Sequence, residues 1–332
     1  MNLSVNFIER RDPETGSIET VFREVGNALK KRGIDVRYQK LPFGNDAFGM
    51  LRNLAAFRPI PADIYHITGH AHYIALRLPA RNTVLTIHDL AILRARSGIR
   101  RRALKQILFD LPVGRLKFVT AISQNTKREL IEETGCEPSK IRVIADPLRA
   151  SFRPASKKFN AAEPVLLHIG TAPHKNLEKL VLALDGLECR LVIVGPLSSD
   201  QTALLDKQRI VYENRERLTE EDMYNAYINA DIVVFCSTHE GFGLPVIEAQ
   251  AAGVPLVTSN IPPMSEIAGA GAILADPHDA ASIRAEIDKL LTDSELREQS
   301  IAAGLENVRR FDVSAIAGEY MELYRDVISA IR

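Results

Sequence analysis

The sequence predicts an α/β protein made of two doubly wound, Rossmann-like domains facing each other across a cleft. Three observations lead there. Short apolar runs alternate with amphipathic helical stretches from end to end, which implies parallel sheets with helices on both faces. A chain of 332 residues is long enough for two domains that each bury a core. A stretch without periodicity, bracketed by Pro154 and Pro164, reads as a linker that divides the series in two.

Strands are expected at 3–8, 35–38, 64–67, 83–87, 118–122 and 141–144 in the first half, and at 165–169, 191–194, 210–212, 232–235, 256–258 and 272–274 in the second. Helices are expected between them. At 19–31, Val21, Val25 and Leu29 recur at helical spacing and Gly33 stands just beyond the end. The resulting domains are 1–153 and 154–312, with a last helix beyond. The opening run is too short for a signal-peptide core and reads as the first buried strand. No apolar stretch is long enough to span a bilayer, and Cys136, Cys189 and Cys236 stand apart without metal-ligand spacing, as reduced thiols of a cytoplasmic protein would. Formal net charge is zero, so no global field favours nucleic acid.

Residues 232–253 are the most informative. A buried strand ends near Cys236, a polar turn and Gly241-Phe242-Gly243 follow, Pro245 sits where a first helical residue is expected, and Gly253 where a helix stops. A helix N-terminus leaves amide N–H groups unpaired and suits a phosphate, and the glycines allow close approach. Glu240 and Glu248 flank this turn. Ionised carboxylates only accept hydrogen bonds, so they suit hydroxyl donors, a ribose on one side and a hexose on the other. On the residues alone, a solvated Glu240 and a Glu248 placed for the helix dipole fit as well. Val246 stands where a dinucleotide fingerprint would have its third glycine.

Two further loops follow strands. Gly170-Thr171-Ala-Pro-His174-Lys175-Asn176 places a lysine at the mouth of a helix, which suits a leaving diphosphate; a solvated lysine beside an Asn176 cap is the alternative. Gly16-Ser17-Ile18 lies between the first strand and the first helix. His88 follows the strand at 83–87. His66, His70 and His72 cluster around the end of the strand at 64–67; the His70-x-His72 pair has no third metal ligand evident, so the cluster is expected to line the acceptor side of the cleft. Arg94, Arg96, Arg100, Arg101, Arg102 and Lys105 crowd one segment among Ile99, Leu104, Ile107 and Leu108. They form either a solvated helix face or a patch for anionic lipid or an acidic acceptor.

The stretch Glu240-Gly-Phe-Gly-Leu-Pro-x-x-Glu248, with Ala249 and Gly253-Val-Pro after it, resembles the paired-glutamate motif of the GT4 family of retaining glycosyltransferases (glycosyl transferases group 1). The resemblance continues through 262–266 and 275–279 and back to Thr219-Glu-Glu-Asp, which opens a helix with a capping-box pattern. It implies the two-lobed GT-B fold and transfer of a hexose from a UDP-, GDP- or ADP-sugar to a glycan or lipid-linked acceptor. The second domain would bind the donor and the first the acceptor, and the last helix would pack back across both lobes.

By resemblance Glu240 contacts the donor sugar, Glu248 holds the ribose hydroxyls, and the backbone of Gly241, Phe242, Gly243 and Leu244 meets the sugar and diphosphate. Gly170 and Lys175 match the diphosphate loop, Gly16 the phosphate-closing glycines, and His88 the histidine that projects into the cleft near the donor sugar. Thr171 departs from the arginine many relatives carry; it offers a neutral hydroxyl, and His174 is a candidate helper. No Asp-x-Asp occurs, which fits metal-independent chemistry without a cofactor, lysine and helix dipoles replacing a divalent ion. No protein nucleophile stands out, so same-face attack by the acceptor is the expected route to retention. A nucleotide-sugar epimerase of the same fold would turn over donor without acceptor. A catalytically silent nucleotide-sugar binding protein would bind donor without transfer; the missing arginine beside Thr171 is its best support, and the intact Glu240, Glu248 and Lys175 argue against it. The expected location is cytoplasmic, with peripheral contact at the inner membrane face through Arg94–Lys105 as one reading of the basic segment.

Overall fold

All twelve expected strands occur in the computed structural model, which describes residues 3–11 and 17–331. Gly16 lies outside the described residues. The strands are β1 (Ser4–Glu9), β2 (Asp35–Lys40), β3 (Ile64–Ile67), β4 (Thr83–Ile87), β5 (Phe118–Ala121), β6 (Ile141–Val143), β7 (Val165–Ile169), β8 (Arg190–Val194), β9 (Val211–Arg215), β10 (Ile232–Phe235), β11 (Leu256–Ser259) and β12 (Ile273–Ala275). They form two six-stranded parallel sheets, ordered β2-β1-β3-β4-β5-β6 and β12-β11-β10-β7-β8-β9. Central strands are buried along their whole length because helices cover both faces: every residue of β4 and of β10 is buried. The edge strand β9, Val-Tyr-Glu-Asn-Arg, extends three residues past its expected end because its outer half faces water.

The chain divides into two compact units, Met1–Pro147 with Asp312–Arg332, and Leu148–Phe311. The division therefore falls at Pro147 rather than in the stretch 154–164. That stretch is fastened to the second unit: Ala155 N donates to Ala252 O, Asn160 N to Asp231 Oδ1, and Lys157 Nζ lies 2.8 Å from the same oxygen. A sequence without periodicity looks like a linker, yet its backbone groups are satisfied by the domain beside it.

The first unit is closed by its last helix, Val313–Ser329, which packs on the helix Ser17–Lys31 and on the sheet. Ile316, Leu323 and Val327 are buried there, each contributing about 1.5–3 kcal/mol of hydrophobic stabilisation. Tyr324 carries a polar bond into the interior: its hydroxyl lies 2.7 Å from His66 Nδ1, and His66 Nε2 lies 2.7 Å from Thr86 Oγ1. His66 is thus a core residue of β3, fully buried and held down to about 3 by desolvation, and does not line an acceptor surface.

Candidate active site

The strand order of the second sheet reverses between β7 and β10, and ligands of such sheets bind beyond the carboxyl ends of the strands at that point. The loops leaving these two strands are joined by Thr238 N donating to His174 O at 2.8 Å. Lys175 Nζ reaches from one loop to the other and donates to Glu240 Oε1 at 2.6 Å, with the two side chains only 20% and 12% exposed. The ammonium also lies 4.9 Å from the centre of the Phe235 ring. Gly170 makes room for this reach. It holds φ +91°, and a Cβ there would stand 2.8 Å from Lys175 Cγ.

Asn176 does not cap the next helix, Leu177–Ala183, with its side chain. It sits at φ +67° and its amide donates to Cys236 O at 2.9 Å and Pro277 O at 2.7 Å, bracing the lysine loop against the end of β10. The Thr171 hydroxyl, expected to serve a phosphate, donates instead to the Pro196 carbonyl.

The helix Leu244–Ala252 opens at Gly243, which holds φ +103°, and stops at Gly253 with φ +73°. Pro245 is its second residue, one later than expected, where a missing N–H is still harmless. Pro245 has no N–H and Val246 N donates to Gly243 O at 2.9 Å, so Leu244 N is the amide of this first turn that the helix start leaves for an anion.

Glu248 lies in the middle of this helix, 4% exposed. Tyr227, from the helix Glu220–Asn229, donates its hydroxyl to Glu248 Oε2 at 2.7 Å. That helix is opened by the expected capping box between Thr219 and Asp222. Arg149 Nε lies 3.3 Å from Glu248 Oε1, an ion pair whose geometry falls short of a hydrogen bond and leaves both atoms without a hydrogen-bond partner. Burial raises the Glu248 carboxyl above the ordinary range, against the pull of Arg149, the Tyr227 hydroxyl and Lys175. Sequence reasoning missed Arg149 and Tyr227. The capping box was the one local signal near Tyr227; nothing around Arg149 sets it apart from other surface arginines.

The structure therefore brings Gly170, Lys175, Glu240, the turn Gly241–Leu244 and Glu248 together in the second unit. His88 belongs to the first, at the end of β4 and 3% exposed. Its Nε2 donates to Thr68 O at 2.8 Å, its ring stacks on His70 at 6.1 Å, and burial holds it down to about 4, so it is a neutral imidazole at physiological pH. In the basic segment Arg94 pairs with Glu129, Arg101 with Glu133 and Lys105 with Asp110, which neutralises half of the six charges. Ile99 is 83% exposed beside Arg100 and Arg102. No helix among the described residues is long and apolar enough to cross a membrane.

Known proteins resemble this chain in sequence and in fold. The model of glycosyl transferases group 1 matches residues 151–306, and that of Glycosyltransferase Family 4 matches residues 37–148. The O-antigen chain mannosyltransferase B of Escherichia coli is 28% identical over 300 residues, covering 82% of this chain and 77% of that protein. The serotype-specific mannosyltransferase WbdA of Escherichia coli is 25% identical over 296 residues, and this chain spans 36% of its length. Among solved structures, Anabaena HepE in complex with UDP and glucose superposes with a TM-score of 0.78 over 98% of this chain and 100% of that one, at 17% identity, a likeness of fold. The two parallel sheets are those of the GT-B fold. With both family models matched in succession along the sequence, the chain belongs to the GT4-type glycosyltransferases, the glycosyl transferases group 1.

Proposed function

We propose that the protein transfers a hexose, with retention of anomeric configuration and without a metal, from a nucleotide-diphosphate sugar to a hydroxyl of a glycan or lipid-linked acceptor. The second unit holds the donor and the first the acceptor. The observation that carries this is the Lys175–Glu240 pair at the sheet's reversal point, near the N-terminus of the helix Leu244–Ala252.

A diphosphate arriving at that N-terminus competes with Glu240 for Lys175. When the ammonium turns to the anion, Glu240 is released to accept hydroxyl protons of the donor sugar. Glu248 Oε1, which has no hydrogen-bond partner, takes a ribose hydroxyl while Tyr227 fixes the other oxygen. In the reaction the bond from the anomeric carbon to the phosphate oxygen breaks as the acceptor oxygen bonds to the same face of that carbon. The acceptor's proton passes to the departing phosphate. Lys175 and the helix N-terminus stabilise the charge that develops there, and losing one such donor typically costs about 10²–10³-fold in rate. His88, as a neutral ring, orients the sugar by hydrogen bonding. Exposed Ile99 with Arg100 and Arg102 is the surface we assign to peripheral membrane contact, at the cytoplasmic face.

The test is a thermal-shift panel of UDP, GDP, ADP and their sugars, beginning with mannose because the Escherichia coli relative is named a mannosyltransferase. A ligand at 100 times its Kd adds about 2.7 kcal/mol of stability, so a true donor stands out. No shift with any member would refute the donor assignment; donor turnover without acceptor would point to an epimerase instead.

A further inference from the structure

The first sheet also reverses its strand order, between β1 and β3, and a cavity of about 510 Å³ opens there inside the first unit. That volume falls within the usual range for a small-molecule site. Its polar side is formed by residues leaving β1, β3 and β4, among them Arg10, His72 and Asp89. Met50, Ile92 and Phe109 are among its apolar lining residues.

His72 is the informative member. Its ring is 3% exposed and stands edge-on to Phe109 at 5.2 Å. Nδ1 lies 3.1 Å from the Leu108 carbonyl, which can only accept, so the ring proton is on Nδ1. Nε2 is then a lone-pair acceptor, and it is buried with no partner. A buried acceptor left unmet is destabilising, so the position calls for an O–H or N–H donor. Burial keeps the ring down to about 3, with His70, His88 and Asp89 as its titratable neighbours, so it does not become a cation for a phosphate.

The formal charges around the cavity are largely matched by protein. Arg10 Nε is 3.0 Å from Glu19 Oε1, Asp89 Oδ2 is 3.7 Å from His70 Nε2, and the Asp46 carboxylate accepts from Phe48 N and Gly49 N. Arg11 is exposed and its guanidinium reaches the Pro42 carbonyl. A phosphate site would gather several cations or backbone amides on one point. A buried, unpartnered acceptor nitrogen on a lining residue, together with the apolar lining of Met50, Ile92 and Phe109, matches a different ligand, a sugar ring with hydroxyls on its edge and C–H bonds on its face.

We propose that this cavity is the acceptor subsite and that it takes a neutral sugar residue. One hydroxyl donates to His72 Nε2 and the C–H face lies on Met50, Ile92 and Phe109. The acceptor is then a sugar of a glycan, and a phosphate head group is excluded from this position. The inference rests on the glycosyl-transfer reading and names its acceptor class.

Saturation-transfer NMR on the full chain tests it, with methyl α-mannoside, methyl α-glucoside and methyl β-galactoside as neutral probes and glycerol 1-phosphate as the anionic one. At least one glycoside should be saturated and glycerol 1-phosphate should not. His72→Phe keeps the ring against Phe109 and removes the acceptor. It should weaken that glycoside about tenfold, the effect of roughly one hydrogen bond. Ile92→Glu, at a position 39% exposed and so tolerant of a charge, should weaken it also. Saturation of glycerol 1-phosphate, or glycoside saturation that survives both variants, or none with any glycoside, would overturn the proposal. The nucleotide thermal-shift panel reads the second unit separately. Failure there with glycoside binding intact removes the transfer reading and with it the acceptor role of this cavity, whereas nucleotide binding without glycoside binding removes only this inference.

Discussion

Replacing Gly170 by alanine should disable the enzyme without touching any charged group. The backbone there holds φ +91°, a conformation that costs a residue with a Cβ about 1–2 kcal/mol. The new methyl would also stand 2.8 Å from Lys175 Cγ, 3.1 Å from Cδ and 3.0 Å from Cε. All three are atoms of one flexible side chain, so the stem moves aside. The reach that brings Nζ to 2.6 Å from Glu240 is then lost. Catalysis should fall toward that of Lys175→Ala, about 10²–10³-fold for a lost electrostatic donor. Stability should fall by only the backbone term. For a unit of this size that lowers its Tm by about 2–8 °C, at roughly 2–4 °C per kcal/mol. The assay is donor turnover by the folded variant, with its melting curve measured alongside. Activity within about threefold of wild type, well short of the expected loss, would show that the lysine's path over Gly170 is irrelevant to the reaction.

Three other outcomes are expected. Tyr324→Phe strands His66 Nδ1 in the core of the first unit and should cost about 1–3 kcal/mol in denaturant unfolding, with nucleotide binding by the second unit unchanged. Arg149→Ala removes the cation that pulls Glu248 down. The raised carboxyl then rises further, so nucleotide affinity should fall off at a higher pH on the acid side than in wild type, while Arg149→Lys restores the profile in part. Acid should weaken the first unit before the second. His66, His72 and His88 are held at about 3 to 4 against an unfolded value of 6.5, so the unfolded state binds more protons below that value and stability is lost as pH falls through it. Each costs about 2 kcal/mol at pH 5. Asp146, raised to about 7 by burial, has the opposite sign and offsets roughly one of them. The second unit has His168 alone among buried histidines of its described residues. Calorimetry at pH 5 and 7.5 should show the first unit's transition moving more.

The strands were legible because parallel sheets covered on both faces leave uninterrupted apolar runs, as at Ile232–Phe235. The turn into the helix Leu244–Ala252 was legible because φ near +103° at Gly243 and +73° at Gly253 requires glycine. What local pattern could not convey was who meets whom. His66 and Tyr324 are 258 residues apart, and a histidine in an apolar strand looks the same whether it bridges core hydroxyls or faces a ligand. Lys175 and Glu240 were each readable as site residues, but their contact across 65 residues depends on the order of strands in the sheet. Arg149 became visible only once the chain was seen to join the second unit at Leu148, earlier than its composition suggests.

That join has a consequence for synthesis. The second unit is a continuous segment, while the first is completed only by residues that follow it, with Leu148 N donating to Phe311 O at 2.8 Å where the segment begins and ends. During translation the inserted unit leaves the ribosome before the helix Val313–Ser329 that completes the first. The earlier-made unit must wait, with the sheet surface destined for Ile316, Tyr320 and Tyr324 uncovered. A chain cut at residue 311 would therefore carry a complete second unit attached to an unfinished first one, and the unfinished one is the part a chaperone would find to hold.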